Sequence, residues 1–132
     1  MYKLKIITNF SAAHFLRGYK GKCENLHGHN WRVEVSVTSL GLNSLGMVRD
    51  FSDLKKLTNK VLNELDHQNL NELSYFSSNE QPSLVPVSHN PSSEEIARYI
   101  FEKLKPKMAD EGCLLNEVAV WETETACAIY SE

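Results

Sequence analysis

No stretch of this sequence is apolar for long enough to cross a bilayer, which takes about 20 such residues as a helix. The opening residues, Met1-Tyr2-Lys3-Leu4-Lys5, also lack the apolar core of a secretory signal. Basic residues are not in excess, and the formal net charge is -3. That argues against a general nucleic-acid footprint, which needs clustered Lys and Arg, and leaves room only for a small anion pocket. Cysteine is scarce, odd in number and unevenly placed, at Cys23, Cys113 and Cys127. A disulfide framework is therefore not expected, and free thiols in a reducing cytoplasm are. No internal repeat stands out.

What is present is enough for one domain over residues 1–132, with 42% hydrophobic and 23% charged residues. A chain of this size buries roughly two-thirds of its unfolded surface and needs no staples. Residues 2–14 read as a strand in which Tyr2, Leu4, Ile6, Phe10, Ala12 and His14 share one parity, so His14 points to the apolar side. Residues 30–39 read as a second strand, with Trp31, Val33, Val35 and Val37 alternating with polar partners. Such alternation predicts an antiparallel sheet with one buried face. Gly41 to Gly46 is a turn, and Met47-Val48-Arg49 is a candidate extension of the pairing. Asp50 or Ser52 then caps a helix with an apolar stripe at Phe51, Leu54, Leu57, Val61 and Leu65, ending near Asp66-His67.

Residues 68–91 are rich in Asn, Ser and Pro and read as a long loop. Ser92-x-x-Glu95 has the form of a capping box for a second helix, whose apolar side carries Ile96, Ala97, Ile100, Phe101, Leu104 and Met108. Pro106 should end or bend that helix. Val118, Val120 and Glu122 alternate with Ala119, Trp121 and Thr123 as a third strand, and 126–130 form the fourth. The expected fold is α+β, in ββααββ order.

Chemistry concentrates around His27-Gly28-His29. Side chains at i and i+2 of a strand share a face, so both imidazoles reach one metal ion, while Gly28 leaves the other face free of bulk. With His14 they make a three-imidazole set with an open fourth position, the form of a catalytic zinc site. A His-x-His alone is weak, since paired strand histidines often have no such role. Cys23 is a candidate base or nucleophile, or else a buried structural thiol or a zinc ligand. Asp66-His67 is either a carboxylate-imidazole proton pair or a helix-terminal histidine on the dipole. Glu122, at inward parity on an apolar strand, is either a double acceptor for a flat heterocycle or a solvated strand end. Trp31 and Trp121 read as core, and His89 as a surface histidine.

Taken in order, Phe10-Ser11-Ala12-Ala13-His14, Cys23-x-x-x-His27-Gly28-His29, Leu65-Asp66-His67-x-x-Leu70-Asn71, Pro91-Ser92-Ser93-Glu94 and Trp121-Glu122-Thr123 resemble the 6-pyruvoyl-tetrahydropterin synthase family. The likeness spans nearly the whole chain and is strongest to the bacterial branch that forms 6-carboxy-tetrahydropterin. It implies the tunnelling fold: a four-stranded antiparallel sheet with two helices on one face, closing into an oligomeric barrel. It implies a homohexamer, a dimer of trimers, with active sites between subunits. It implies 7,8-dihydroneopterin triphosphate as substrate, and neither nucleic acid nor membrane as partner.

By motif, His14, His27 and His29 would hold zinc, Cys23 would be the base, and Asp66 with His67 the proton relay. Glu122 would anchor the pterin ring, and Ser92, Ser93 and Glu94 match a substrate-contacting stretch, with serines where the family often has threonine. The implied reaction yields 6-carboxy-tetrahydropterin, acetaldehyde and triphosphate in the queuosine precursor pathway. Glu24 beside Cys23 departs from this pattern, because branches feeding folate synthesis use a glutamate in this segment. Side-chain cleavage to 6-hydroxymethyl-dihydropterin and the pyruvoyl product are thus the alternatives, and a non-catalytic pterin- or zinc-binding protein is one of another class.

Overall fold

A computed structural model describes residues 1–77, 89–108 and 112–132 of the chain. Strand β1 (Tyr2–His14) pairs antiparallel with β2 (His27–Ser39), from Tyr2 opposite Ser39 to His14 opposite His27. Helix α1 (Phe51–Leu62) follows, then a two-residue strand β3 (Gln68–Asn69), helix α2 (Ser93–Met108), and strands β4 (Leu114–Thr123) and β5 (Ala126–Tyr130). The sheet order is β3-β1-β2-β4-β5.

The alternation read from the sequence sets the layers. Ile6, Phe10, Trp31, Val33, Val35, Val118 and Val120 are buried together with Leu54, Val61, Ile96, Ile100 and Leu104 from the two helices. Every residue expected on the apolar side of α2 is buried. Asp50 caps α1 by accepting the Ser52 N–H at 2.7 Å, and Ser92 Oγ accepts the Glu95 N–H at 3.3 Å ahead of α2.

Several expectations are corrected. Among the described residues the sheet has five strands rather than four and is mixed, because β3 runs parallel to β1, with Ala12 opposite Gln68 and Ala13 opposite Asn69. A single chain does not close it, so β5 remains an edge. Strand β2 starts at His27, three residues before the clear alternation, because pairing with β1 continues through His14. Helix α1 stops at Leu62, short of Asp66-His67, and the chain turns four more residues into a left-handed His67 at φ 58.

Met47–Arg49 forms no strand. Asn43 Oδ1 takes the N–H groups of Leu45 and Met47, and Arg49 is drawn to Asp53 at 2.7 Å. Pro106 lies in the last turn of α2, which runs on to Met108. Phe51 opens α1 on its exposed side. Trp121 is half-buried under the Arg32 guanidinium, 5.5 Å from its ring centre, whereas Trp31 is fully buried. The expected loop over 68–91 holds β3 and a 3-10 turn at Leu70–Glu72, and its segment 78–88 lies outside the described residues. No helix of the described residues is long and apolar enough to cross a membrane.

Candidate metal centre and flanking cavities

Directly opposed residues of an antiparallel pair share a face. The register that places His14 against His27 therefore puts both imidazoles on the inner side, and His29 joins them two residues along. Glu122, at the end of β4, reaches the same point. Ligand atoms of His14, His27, His29 and Glu122 all lie within 4.8 Å of one another.

The imidazoles are oriented by backbone carbonyls. His14 Nδ1 donates to Pro91 O at 2.6 Å, and His27 Nδ1 donates to Asn25 O at 2.6 Å. A carbonyl can only accept, so each Nδ1 carries a proton, and in the neutral tautomer Nε2 turns its lone pair inward. Those two Nε2 atoms stand 3.1 Å apart. Two facing lone pairs repel unless a cation lies between them. His29 Nε2 is buried with no aligned hydrogen-bond partner, although Glu122 Oε1 is 3.0 Å away. Nitrogen ligands at 2.0–2.1 Å from a tetrahedral zinc lie about 3.3 Å apart, so the donor set fits a zinc-sized divalent cation. Burial holds His14 and His29 below the ordinary histidine value, so both are neutral at pH 7 and free to ligate. The Trp31 ring packs edge-on beneath them, its centre 4.8 Å from that of His14 and 5.0 Å from that of His29.

Two depressions flank this group. One, of about 290 Å³, is lined by Cys23, His14, Glu122, Ser92, Ser93 and Glu94, and also by Cys127. Cys23 sits in a 3-10 turn (Lys22–Glu24) and is held by backbone pairing of Leu16 N–H with Cys23 O at 2.8 Å. The chain leading there is fastened by side-chain amides that imitate a neighbouring strand. Asn71 accepts from Phe15 N–H and donates to Phe15 O, both at 2.9 Å, and Asn90 does the same for Arg17 at 3.1 and 2.9 Å. Glu24, in the same turn, is exposed and does not line this cavity.

The other depression, an open groove of about 490 Å³, holds His67 together with Ala13, Gly28 and His29. A Cβ on Gly28 would meet only Ala12 O, at 3.7 Å, so this glycine keeps the groove clear rather than relieving a clash. Asp66 Oδ1 accepts the Ser11 N–H at 2.9 Å, and the His67 N–H donates to Ser11 O at 2.6 Å. Asp66 Oδ2 lies 2.9 Å from His67 Nδ1. The Ser11 N–H and the His67 side chain hold the Asp66 carboxyl below the ordinary carboxylate range. The His67 side chain is 81% exposed.

The structure thus gathers His14, His27, His29 and Glu122 into one group. It places Cys23, Ser92, Ser93 and Glu94 beside that group and leaves Asp66-His67 in the other depression. The orienting carbonyls of Asn25 and Pro91 gave no signal in the sequence, because any residue supplies a carbonyl. Cys127 was legible only as an unpaired thiol.

Known proteins resemble this chain over its whole length. The family model described as 6-pyruvoyl tetrahydropterin synthase matches residues 3–132. A 6-carboxy-5,6,7,8-tetrahydropterin synthase of Haemophilus influenzae is 35% identical over 148 aligned positions, covering 100% of both chains. One of Synechocystis is 40% identical, covering 92% of this chain and 87% of that one. The solved 6-pyruvoyl tetrahydropterin synthase of Caenorhabditis elegans superposes with a TM-score of 0.81 at 30% identity, covering 99% of this chain and 95% of that one. With histidines, fold and full-length matches in accord, the chain belongs to the 6-pyruvoyl tetrahydropterin synthase family.

Proposed function

We propose that this chain is a zinc enzyme converting 7,8-dihydroneopterin triphosphate to 6-carboxy-5,6,7,8-tetrahydropterin, acetaldehyde and triphosphate, in the cytoplasm and in the queuosine precursor pathway. The observation that carries this reading is the convergence of tautomer-fixed imidazoles beside a cavity holding a thiol. The curated relatives named for the carboxy product support the choice within the family.

When bound, zinc would act as a Lewis acid on the side-chain hydroxyls of the substrate. Cys23, as thiolate, takes a proton from the side chain lying in the 290 Å³ cavity. Glu122 and Glu94, with Ser92 and Ser93, present acceptors to the N–H edge of the pterin. Asp66 fixes the proton on His67 Nδ1, so that Nε2 exchanges protons with substrate.

Cys23 and His67 line separate depressions in one chain, and the sheet edges are open. Both features suit a homohexamer in which one copy's Cys23 faces another copy's His67.

A second reading, cleavage to 6-hydroxymethyl-dihydropterin by Glu24, is disfavoured by the absence of Glu24 from the cavity lining. Mass spectrometry of products from wild type, Cys23→Ala and Glu24→Ala decides between them. Carboxy product is expected from wild type and Glu24→Ala only. Cleavage product lost in Glu24→Ala and kept in Cys23→Ala would establish the second reading.

A further inference from the structure

The fourth member of the histidine group is a carboxylate that the proposed reaction also needs elsewhere. Glu122 Oε1 is 3.0 Å from His29 Nε2 and 3.3 Å from His14 Nε2, spacings short enough for ligands of one ion. Three imidazoles and one carboxylate match the donor number of a tetrahedral site, and the carboxylate brings a charge to set against a divalent cation. The carboxylate is also one-third exposed and lines the Cys23 cavity, so it has somewhere to go.

We infer that Glu122 is the fourth metal ligand of the substrate-free protein, and that an incoming pterin displaces it. The inference rests on the zinc and pterin reading above. It assigns Glu122 two successive partners. With the cavity empty, the carboxylate completes the donor set and keeps that position closed to solvent. With the pterin bound, the carboxylate would turn toward the ring N–H groups and leave its place among the metal ligands. Closure of the donor set and capture of the ring are then exclusive, so some substrate affinity is spent on displacing the ligand.

The test is equilibrium competition for zinc against a calibrated chelator, with wild type, Glu122→Ala, Glu122→Gln and His29→Ala. It is joined to visible absorption of the cobalt(II)-loaded proteins with and without 7,8-dihydroneopterin. Glu122→Ala should bind one zinc per chain with affinity reduced by more than the about 10–100-fold that loss of a partner merely orienting a ligand costs. Its cobalt spectrum should differ from that of wild type without pterin. Adding dihydroneopterin should shift the wild-type spectrum more than that of the variant. The isosteric Glu122→Gln, checked by circular dichroism, stands in should Glu122→Ala fail to fold.

Wild-type zinc affinity in both Glu122 variants overturns the inference. So does reduced affinity with an unchanged cobalt spectrum, which would leave the carboxylate as an orienting charge only. Absence of zinc binding by wild type, or full binding by His29→Ala, would instead remove the metal reading on which the inference stands.

Discussion

The histidine group and the Asp66-His67 pair use the same side-chain chemistry under opposite conditions. His14 is buried, its Nδ1 fixed on a carbonyl and its ring packed on Trp31. His67 is exposed, held by one carboxylate and by its own backbone. Metal ligation gains from rigid donors kept neutral by burial, because reorganisation then costs nothing when the ion binds. Proton transfer requires access to substrate and a pKa near the working pH. The contrast teaches that one chain gathers the whole candidate metal group by itself and leaves the Asp66-His67 pair open on the surface.

The largest test breaks the buried side. His29→Ala should lower metal content from one per chain to near none and abolish turnover, by elemental analysis and product assay. Zinc retained in full would mean that the three imidazoles do not act together. Cys23→Ala should keep the metal and lose carboxy product by about 10²–10⁴-fold, the usual contribution of a general base. His67→Gln should also keep the metal and lose about 10²-fold in kcat.

Mixing those last two proteins after subunit exchange sharpens the contrast. If the site is shared between copies, random pairing of equal populations restores roughly a quarter of the sites. No recovery would show that each chain uses its own His67.

The smallest effect concerns acid stability. The folded-state pKa of Asp66 is depressed, so its contribution is present above the unfolded carboxylate value and lost as pH falls through the folded value. Denaturant unfolding of Asp66→Asn across the acidic range should show a shallower loss of stability than wild type, with metal content unchanged.

Much of this contrast was legible in residue patterns, and the remainder was not for identifiable reasons. Parity along 2–14 and 30–39 gave the buried side of the sheet and the inward turn of His14. The place of His67 was hidden, because a helix stripe ending at Leu65 does not reveal that the helix stops at Leu62 and that the chain turns left-handed at 67. The pairing of Gln68 and Asn69 with Ala12 and Ala13 was also hidden, since two polar residues carry no periodicity. Glu122 was placed on the correct side of its strand by alternation, but its distance to His29 depends on where β4 ends relative to β2, which alternation does not encode.

His67 keeps a side chain where glycine would let the backbone relax, at φ 58. Holding an L residue there costs about 1–2 kcal/mol, a sizeable share of the margin by which a domain stays folded. A screen for heat resistance alone would thus favour His67→Gly and discard the imidazole. If His67 carries the proposed proton transfer, endurance and turnover pull this one position in opposite directions.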